Sequence, residues 1–319
     1  NAFADINPPG FAPLAAVDGV DVEITMGYCD ILPPPLPPLP PLPPVVPGRD
    51  SGMENSILIH EFGHAVTARL IGGPLFMQGY FPGTQMAAMH EGNSDYLALI
   101  SGMKSTDDPS DASETGTWFS DYQLSRRQPY SYDTVIDGRT FEDWNLLVDA
   151  DTGFPNTEPH QAGEIWASML YDMTWELIFK YGGTRDGSAM EIAFNEDLSQ
   201  SVGRTNAAGT ATLFTTPTSM LGPNLLDLTT GANNLAMQLF IDGMKYTTAD
   251  PTFTDARDAI LAADQALTGG VNHDALWQAF ARRGLGFSAD GGLTTAQVPI
   301  LTGYDLPPTP AGISGNVFI

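Results

Sequence analysis

His60-Glu61-Phe62-Gly63-His64 places two imidazoles and a carboxylate within five consecutive positions, in a chain of 319 residues that holds only 5 histidines. On a helix, side chains four apart project from one face, so both imidazoles can reach a single divalent ion. Glu61, between them in sequence, is placed to reach a water beside that ion instead of the ion itself. Two histidines do not complete a catalytic zinc site, which takes three protein ligands and keeps one position open. The segment His90-Glu91-Gly92-Asn93-Ser94-Asp95 supplies the candidates for the third. Glu91 and Asp95 share a helical face, so Glu91 can bind metal while Asp95 accepts a hydrogen bond from the far nitrogen of a ligating histidine. His90 is the rival ligand, about 100° around the same helix from Glu91.

Zn2+ held by two neutral imidazoles and one carboxylate keeps net positive charge, which acidifies a bound water toward neutral pH. Glu61 is then the expected general base, taking a proton and returning it to the leaving group. A second electrophile is needed for the negative charge that develops. His160, expected just before a helix starting near Ala162, fits that role, although a histidine in such a place is more commonly structural.

Helices must hold these groups. Ser51-Gly52-Met53-Glu54 has the form of a capping box, followed by an apolar set at Ile57, Phe62, Val66 and Leu70 and a stop at Gly72-Gly73-Pro74. A second helix is expected from Glu91 to about Ile100. A third runs from near Ala162 to Gly182-Gly183, with Ile165, Met169, Leu170, Met173 and Leu177 on its buried side. Two more carry Thr254 to Leu267 and Asn272 to Arg283, each followed by glycine. Upstream, alternation over Val20 to Met26 predicts a strand. Residues 33–47 are dominated by proline, which lacks an N–H and forces a polyproline II rod of roughly 45 Å. A stiff connector is the first reading of that rod, and a ligand for an aromatic groove the second. Residues 184–232 are rich in Gly, Thr and Asn and signal little.

The charge balance excludes several classes of partner. Thirteen Lys+Arg stand against 38 Asp+Glu, for a net charge of -25. That field repels phosphate backbones and anionic headgroups, so no nucleic-acid partner is expected. No apolar run approaches the roughly 20 residues of a membrane-spanning helix. Cys29 is the sole cysteine, which removes internal disulfides and thiolate-rich zinc sites. At 42% hydrophobic and 10% aromatic residues, the chain can bury a sizeable interior. Asp-rich loops at Asp107-Asp108 and 149–151 offer oxygen ligands suited to calcium, against the plainer reading of solvated loops.

The stretch Arg49 to His64, with Arg69-Leu70-Ile71-Gly72-Gly73-Pro74, closely resembles the zinc-helix region of the fungalysin metallopeptidases. Three further segments agree in order: His90 to Asp95, His160 to Ala167, and Pro251 to Ile260 continuing through Leu267-Thr268-Gly269-Gly270 to Gly284. The resemblance covers most of residues 49–286. It implies an α+β, thermolysin-like fold, with a reduced β-rich N-terminal portion and a mainly α-helical C-terminal lobe. The expected division is an extended portion over residues 1–50, a zinc-binding helix over 51–72 and the helical lobe over 73–319. The activity implied is that of a secreted, extracellular zinc endopeptidase acting on internal bonds of proteins and peptides. A bulky apolar residue is expected on the amine side of the cleaved bond. Carried over, His60, His64 and Glu91 are the zinc ligands, Glu61 the general base and His160 the oxyanion stabiliser. Asp95 supports a ligand. Arg126, with Arg127 as the alternative, contacts substrate carbonyls, and Asn1 and Ala2 belong to an edge strand that pairs with substrate.

Departures stand beside the agreement. Asn93 lies where the family usually has Trp, and His90 where Gly is usual. Ala249 and Asp274 lie where fungal members have cysteines, and the proline rod replaces a strand. If Asn1-Ala2-Phe3 is the edge strand, much of the family's β-rich lobe lies upstream, and a companion N-terminal fragment or partner chain is expected to supply it. The competing reading is a catalytically silent structural or binding protein that retains the peptidase scaffold.

Overall fold

A computed structural model describes residues 2–4, 14–17, 22–26, 28–29, 49–71, 84–104, 106–118, 126–147, 159–181, 231–292 and 300–308. Among these residues the protein is mostly helical with little strand. Strand β1 (Ala2–Ala4) pairs parallel with β3 (Val22–Met26), and β2 (Leu14–Val17) pairs antiparallel with β3 on its other edge, in the order β1-β3-β2. Strands β4 (Tyr28–Cys29) and β5 (Arg49–Asp50) form a separate antiparallel pair. The strand expected over Val20 to Met26 is thus β3, starting two residues later. The proline-rich stretch 33–47 lies outside the described residues.

Helix α1 (Asn55–Leu70) begins after one 3-10 turn at Ser51–Met53. Ser51, read as the start of this helix, lies instead in the 3-10 turn. Glu54 is the N-cap and makes no side-chain cap bond, and its carboxylate instead accepts from the Ser56 hydroxyl at 2.9 Å. Of the apolar set read in the sequence, Val66 and Leu70 pack partly buried against the core, whereas Phe62 does not. Phe62 is 49% exposed, whereas His60, Glu61, Gly63, Ala65 and Thr67 are buried. Polar groups thus share the inner face with Ala65.

Helix α2 (Gln85–Gly102) starts six residues before its expected position, because the Thr84 hydroxyl caps it by accepting from the Ala87 N–H at 3.1 Å. A short helix α3 (Asp143–Leu146) precedes α4 (Pro159–Lys180). The expected inner side of α4 is fully buried, and so is nearly everything else from Ala162 to Ile178. A helix buried all round must satisfy its polar side chains internally. Thr174 meets the Tyr96 hydroxyl at 2.8 Å, Glu176 accepts from Tyr132 at 2.5 Å, and Asp172 takes the Arg283 guanidinium. Trp166 stacks on Phe280 with centroids 6.1 Å apart, in a core shared by α2 and α4 with the last three helices.

Those three are α5 (Ala232–Tyr246), α6 (Phe253–Thr268) and α7 (His273–Arg282). The last two match the expected pair within a residue or two. A capping box between Thr252 and Asp255 starts α6. Helix α5 was not foreseen.

Two glycines let α1, α2 and α4 approach closely enough to form one site. A Cβ on Gly63 would come within 2.7 Å of the Ser94 Cα, and one on Gly163 within 2.6 Å of the Glu91 Cβ. The first contact sets α1 against α2 beside the two histidines, and the second sets α4 against the carboxylate facing them.

Candidate metal centre

His60 and His64 project from α1 with ring centroids 4.9 Å apart and planes nearly perpendicular at 88°. Glu91 enters from α2. Its Oε2 lies 3.3 Å from Nε2 of His60, and its Oε1 lies 3.7 Å from Nε2 of His64. One donor atom from each of the three residues falls within 4.8 Å of the others. Two imidazoles and a carboxylate are the donor set of a catalytic zinc site, and these atoms converge as such a site requires. The residues therefore fit zinc. His90, the rival ligand, is not in that group; its ring lies buried 5.8 Å from the His64 ring.

Asp95, one turn along α2 from Glu91, accepts a hydrogen bond from Nδ1 of His60 at 2.7 Å. This leaves Nε2 as the ring atom that faces Glu91 and His64. Electrostatics divides the two histidines. Burial opposes charge on His60, but hydrogen bonds and charges of Asp95 and Glu91 outweigh it and raise its pKa to about 9. His64 is pushed down to about 3, first by burial and then by the charge of His60. Burial works against the Glu91 carboxylate too, yet the His60 hydrogen bond and the charges of His64 and His60 hold it well below the ordinary range.

Glu61 is 6% exposed and lies among these groups. Burial pushes its carboxyl up to about 7, against the opposing pull of His60. His160 is placed in the first turn of α4 and not before it, because the helix starts at Pro159. Its Nε2 lies 3.4 Å from Oε2 of Glu91, with its side chain 46% exposed, so it sits at the mouth of the site.

The two arginines separate. Arg126 donates from Nε and Nη2 to the two oxygens of Asp95 at 2.7 and 2.9 Å, with Nη2 3.9 Å from Glu91. Arg127 turns to α4, where its N–H and Nε donate to Glu164 and its Nη2 to the Gln161 carbonyl. Ala2 lies on β1, at an edge of the small sheet. Asn1 lies outside the described residues. Asn93 ties three helices together beneath the site, accepting from Trp166 Nε1 at 2.8 Å and donating to Thr67 at 3.3 Å. At the Asp107-Asp108 loop the carboxylates accept from the loop's own backbone, at Lys104 and Ser110. Residues 149–151 lie outside the described residues.

Sequence reasoning missed Tyr130, whose hydroxyl donates to Asp95 at 2.5 Å, and Arg139, which donates to Glu164 at 2.8 Å. Nothing in their local spacing announces them, since their partners lie 25 to 35 residues away.

Comparison with known proteins shows the family. An extracellular metalloproteinase of Pyrenophora tritici-repentis is 33% identical over 273 residues, which is 85% of this chain and 34% of that protein. Extracellular metalloproteinase 4 of Arthroderma gypseum is 35% identical over 243 residues, 76% of this chain and 32% of that protein. One from Aspergillus fumigatus is 34% identical over 245 residues, with the same coverage of 76% and 32%. The chain thus spans about a third of the length of the curated relatives it matches. Among the described residues no helix is long and apolar enough to cross a membrane. The family model for fungalysin metallopeptidase matches residues 14–289, and the chain belongs to that family.

Proposed function

We propose that this chain carries the catalytic centre of a secreted zinc endopeptidase that hydrolyses internal peptide bonds. The observation that carries the reading is the convergence of His60, His64 and Glu91 donor atoms within 4.8 Å, with the Glu61 carboxyl buried beside them. Secretion is inferred from the relatives, which are named extracellular metalloproteinases. A thermolysin-like arrangement, with residues 1–50, 51–72 and 73–319 as its parts, is supported by α1, which touches both the small sheet and α2.

His60, His64 and Glu91 would hold the zinc. Bound there, zinc supplies Lewis acidity that polarises the scissile carbonyl and brings the pKa of a water to about 7. Glu61, buried beside the three ligand residues, is placed to accept a proton and to return it to the departing amine. His160, half exposed beside Glu91, is placed to donate a hydrogen bond to the oxygen on which negative charge develops. Arg126 brings further positive charge to the same pole and is kept as the group that meets substrate carbonyls. Substrates with a bulky apolar residue on the amine side of the scissile bond are the expected class.

Peptide hydrolysis by the wild type, the chelated wild type and Glu61→Gln tests the reading. Expected is activity in the wild type, its loss on chelation with return on zinc addition, and a fall of about 10²- to 10⁴-fold in Glu61→Gln with zinc still bound. Equal activity in all three samples removes the mechanism. A zinc-loaded wild type without activity favours a scaffold that has kept its metal and lost turnover.

A further inference from the structure

Asp95 is met by four hydrogen bonds, and they arrive from three separate directions. Oδ1 accepts from Nδ1 of His60 at 2.7 Å and from Nη2 of Arg126 at 2.9 Å. Oδ2 accepts from Nε of Arg126 at 2.7 Å and from the Tyr130 hydroxyl at 2.5 Å. A carboxylate has about four lone-pair positions, so these bonds leave Asp95 one orientation. We propose that Tyr130 is a positioning residue for the metal centre, holding Asp95 so that the His60 proton stays on Nδ1 and Nε2 faces Glu91 and His64. The inference rests on the zinc reading above and extends it to a residue outside the ligand set.

Tyr130 is the stiffer of the two anchors. Arg126 reaches Asp95 on a long side chain with many rotamers, whereas Tyr130 has two side-chain torsions and is 0% exposed. Its backbone is clamped in both directions to Ser113, with Tyr130 N–H to Ser113 carbonyl and the reverse both at 2.8 Å. The Arg139 guanidinium lies 4.6 Å from the ring centroid and donates to the Gln128 and Pro129 carbonyls just upstream. Arg139 also binds Glu164 on α4 at 2.8 Å. The hydroxyl therefore joins Asp95 on α2 to a segment that α4 holds in place. Burial, reinforced by the Asp95 charge, keeps the phenol well above its ordinary pKa, so it serves as a donor across the working pH range. Groups that orient a metal-bound histidine are worth roughly 10- to 100-fold in metal affinity.

Tyr130→Phe removes the hydroxyl and keeps the ring in its packed place. Tyr132→Phe is the matched control, since it deletes another 2.5 Å tyrosine–carboxylate bond, to Glu176, away from the ligand set. Zinc affinity of the full chain is measured by competition with a chromogenic chelator, and the Nδ1-bound proton of His60 by nitrogen-15 spectra of the zinc-loaded chain. Expected is about tenfold weaker zinc binding in Tyr130→Phe with a shifted or broadened His60 signal, while Tyr132→Phe matches the wild type in both. Unchanged zinc affinity in Tyr130→Phe overturns the inference. An equal loss in Tyr132→Phe overturns it as well, because that pattern reports general loosening. A wild type that binds no zinc overturns the zinc reading itself and this inference with it.

Discussion

Nδ1 of His60 lies 2.7 Å from Oδ1 of Asp95, and this contact decides which proton an incoming metal must displace. His60 is held at about 9, whereas His64, about one turn further along the same face, is held at about 3. Near neutral pH the metal-free chain therefore carries a proton on His60 and none on His64. That proton and zinc compete for the same ring.

Zinc binding should accordingly strengthen with pH. Between roughly pH 7 and 9 one proton leaves His60 for each zinc bound, which makes apparent affinity rise about tenfold per pH unit and flatten above 9. The stability of the metal-free chain runs the other way. A histidine whose pKa rises from 6.5 to about 9 on folding contributes stability that is fully present below 6.5 and lost as pH passes through about 9. The melting temperature of the metal-free chain should fall across that window, and chelator competition over the same buffers checks the affinity. A zinc affinity that is flat from pH 7 to 9 contradicts the proton competition.

How much of this was legible in the sequence depends on the range of each interaction. The grouping of His60 with His64, and of Glu91 with Asp95, follows from spacing within single helices. The last two helices were readable because Ala256, Ala259, Ile260 and Ala263, then Leu276, Ala279 and Phe280, keep helical spacing with buried side chains. Helix α5 carries the same kind of signal at Leu235, Leu239 and Met244, masked by the Gly- and Thr-rich stretch before it. On α1 the apolar set is only a partial guide, holding at Val66 and Leu70 and failing at Phe62. Hydrophobic spacing assumes that apolar residues point inward, but here the site's own polar groups share that side and Phe62 faces solvent. Tyr130 and Arg139, which brace Asp95 and Glu164, were out of reach, since long-range hydrogen bonds leave no local pattern.

Gly163→Ala should damage the metal centre without replacing any group that bears chemistry. Its new Cβ would sit 2.6 Å from the Glu91 Cβ, 2.8 Å from the Ala88 carbonyl and 2.8 Å from the Gly92 nitrogen. Two of those three atoms are backbone, so α2 and α4 must separate and carry Glu91 with them. A loss of about 1–3 kcal/mol in urea unfolding is expected, together with weaker zinc binding. Gly102→Ala is the comparison, because nothing lies within 4 Å of its would-be Cβ. That variant should stay within about 0.5 kcal/mol of the wild type. Unchanged stability and zinc affinity in Gly163→Ala would show that the crossing is looser than this geometry.

Arg283→Lys tests whether the fork or merely the charge holds the segment that bears Tyr130. The Arg283 guanidinium is 0% exposed and closes on Asp172 with two bonds, at 2.7 and 2.8 Å. Its remaining bonds go to the carbonyls of Asp137, Arg139 and Ser131, at 2.6, 2.9 and 2.8 Å. Lysine preserves the positive charge but has three donors on one atom, so it cannot span Asp172 and three carbonyls together. Buried carbonyls and part of a buried carboxylate then lose their partners, at about 3–5 kcal/mol. Urea unfolding with an unchanged slope should register the loss. Limited proteolysis should find new cleavage between residues 126 and 140, the segment those carbonyls belong to. If Arg283→Lys instead unfolds at the wild-type midpoint, charge alone is sufficient and the five-bond geometry does not hold the segment.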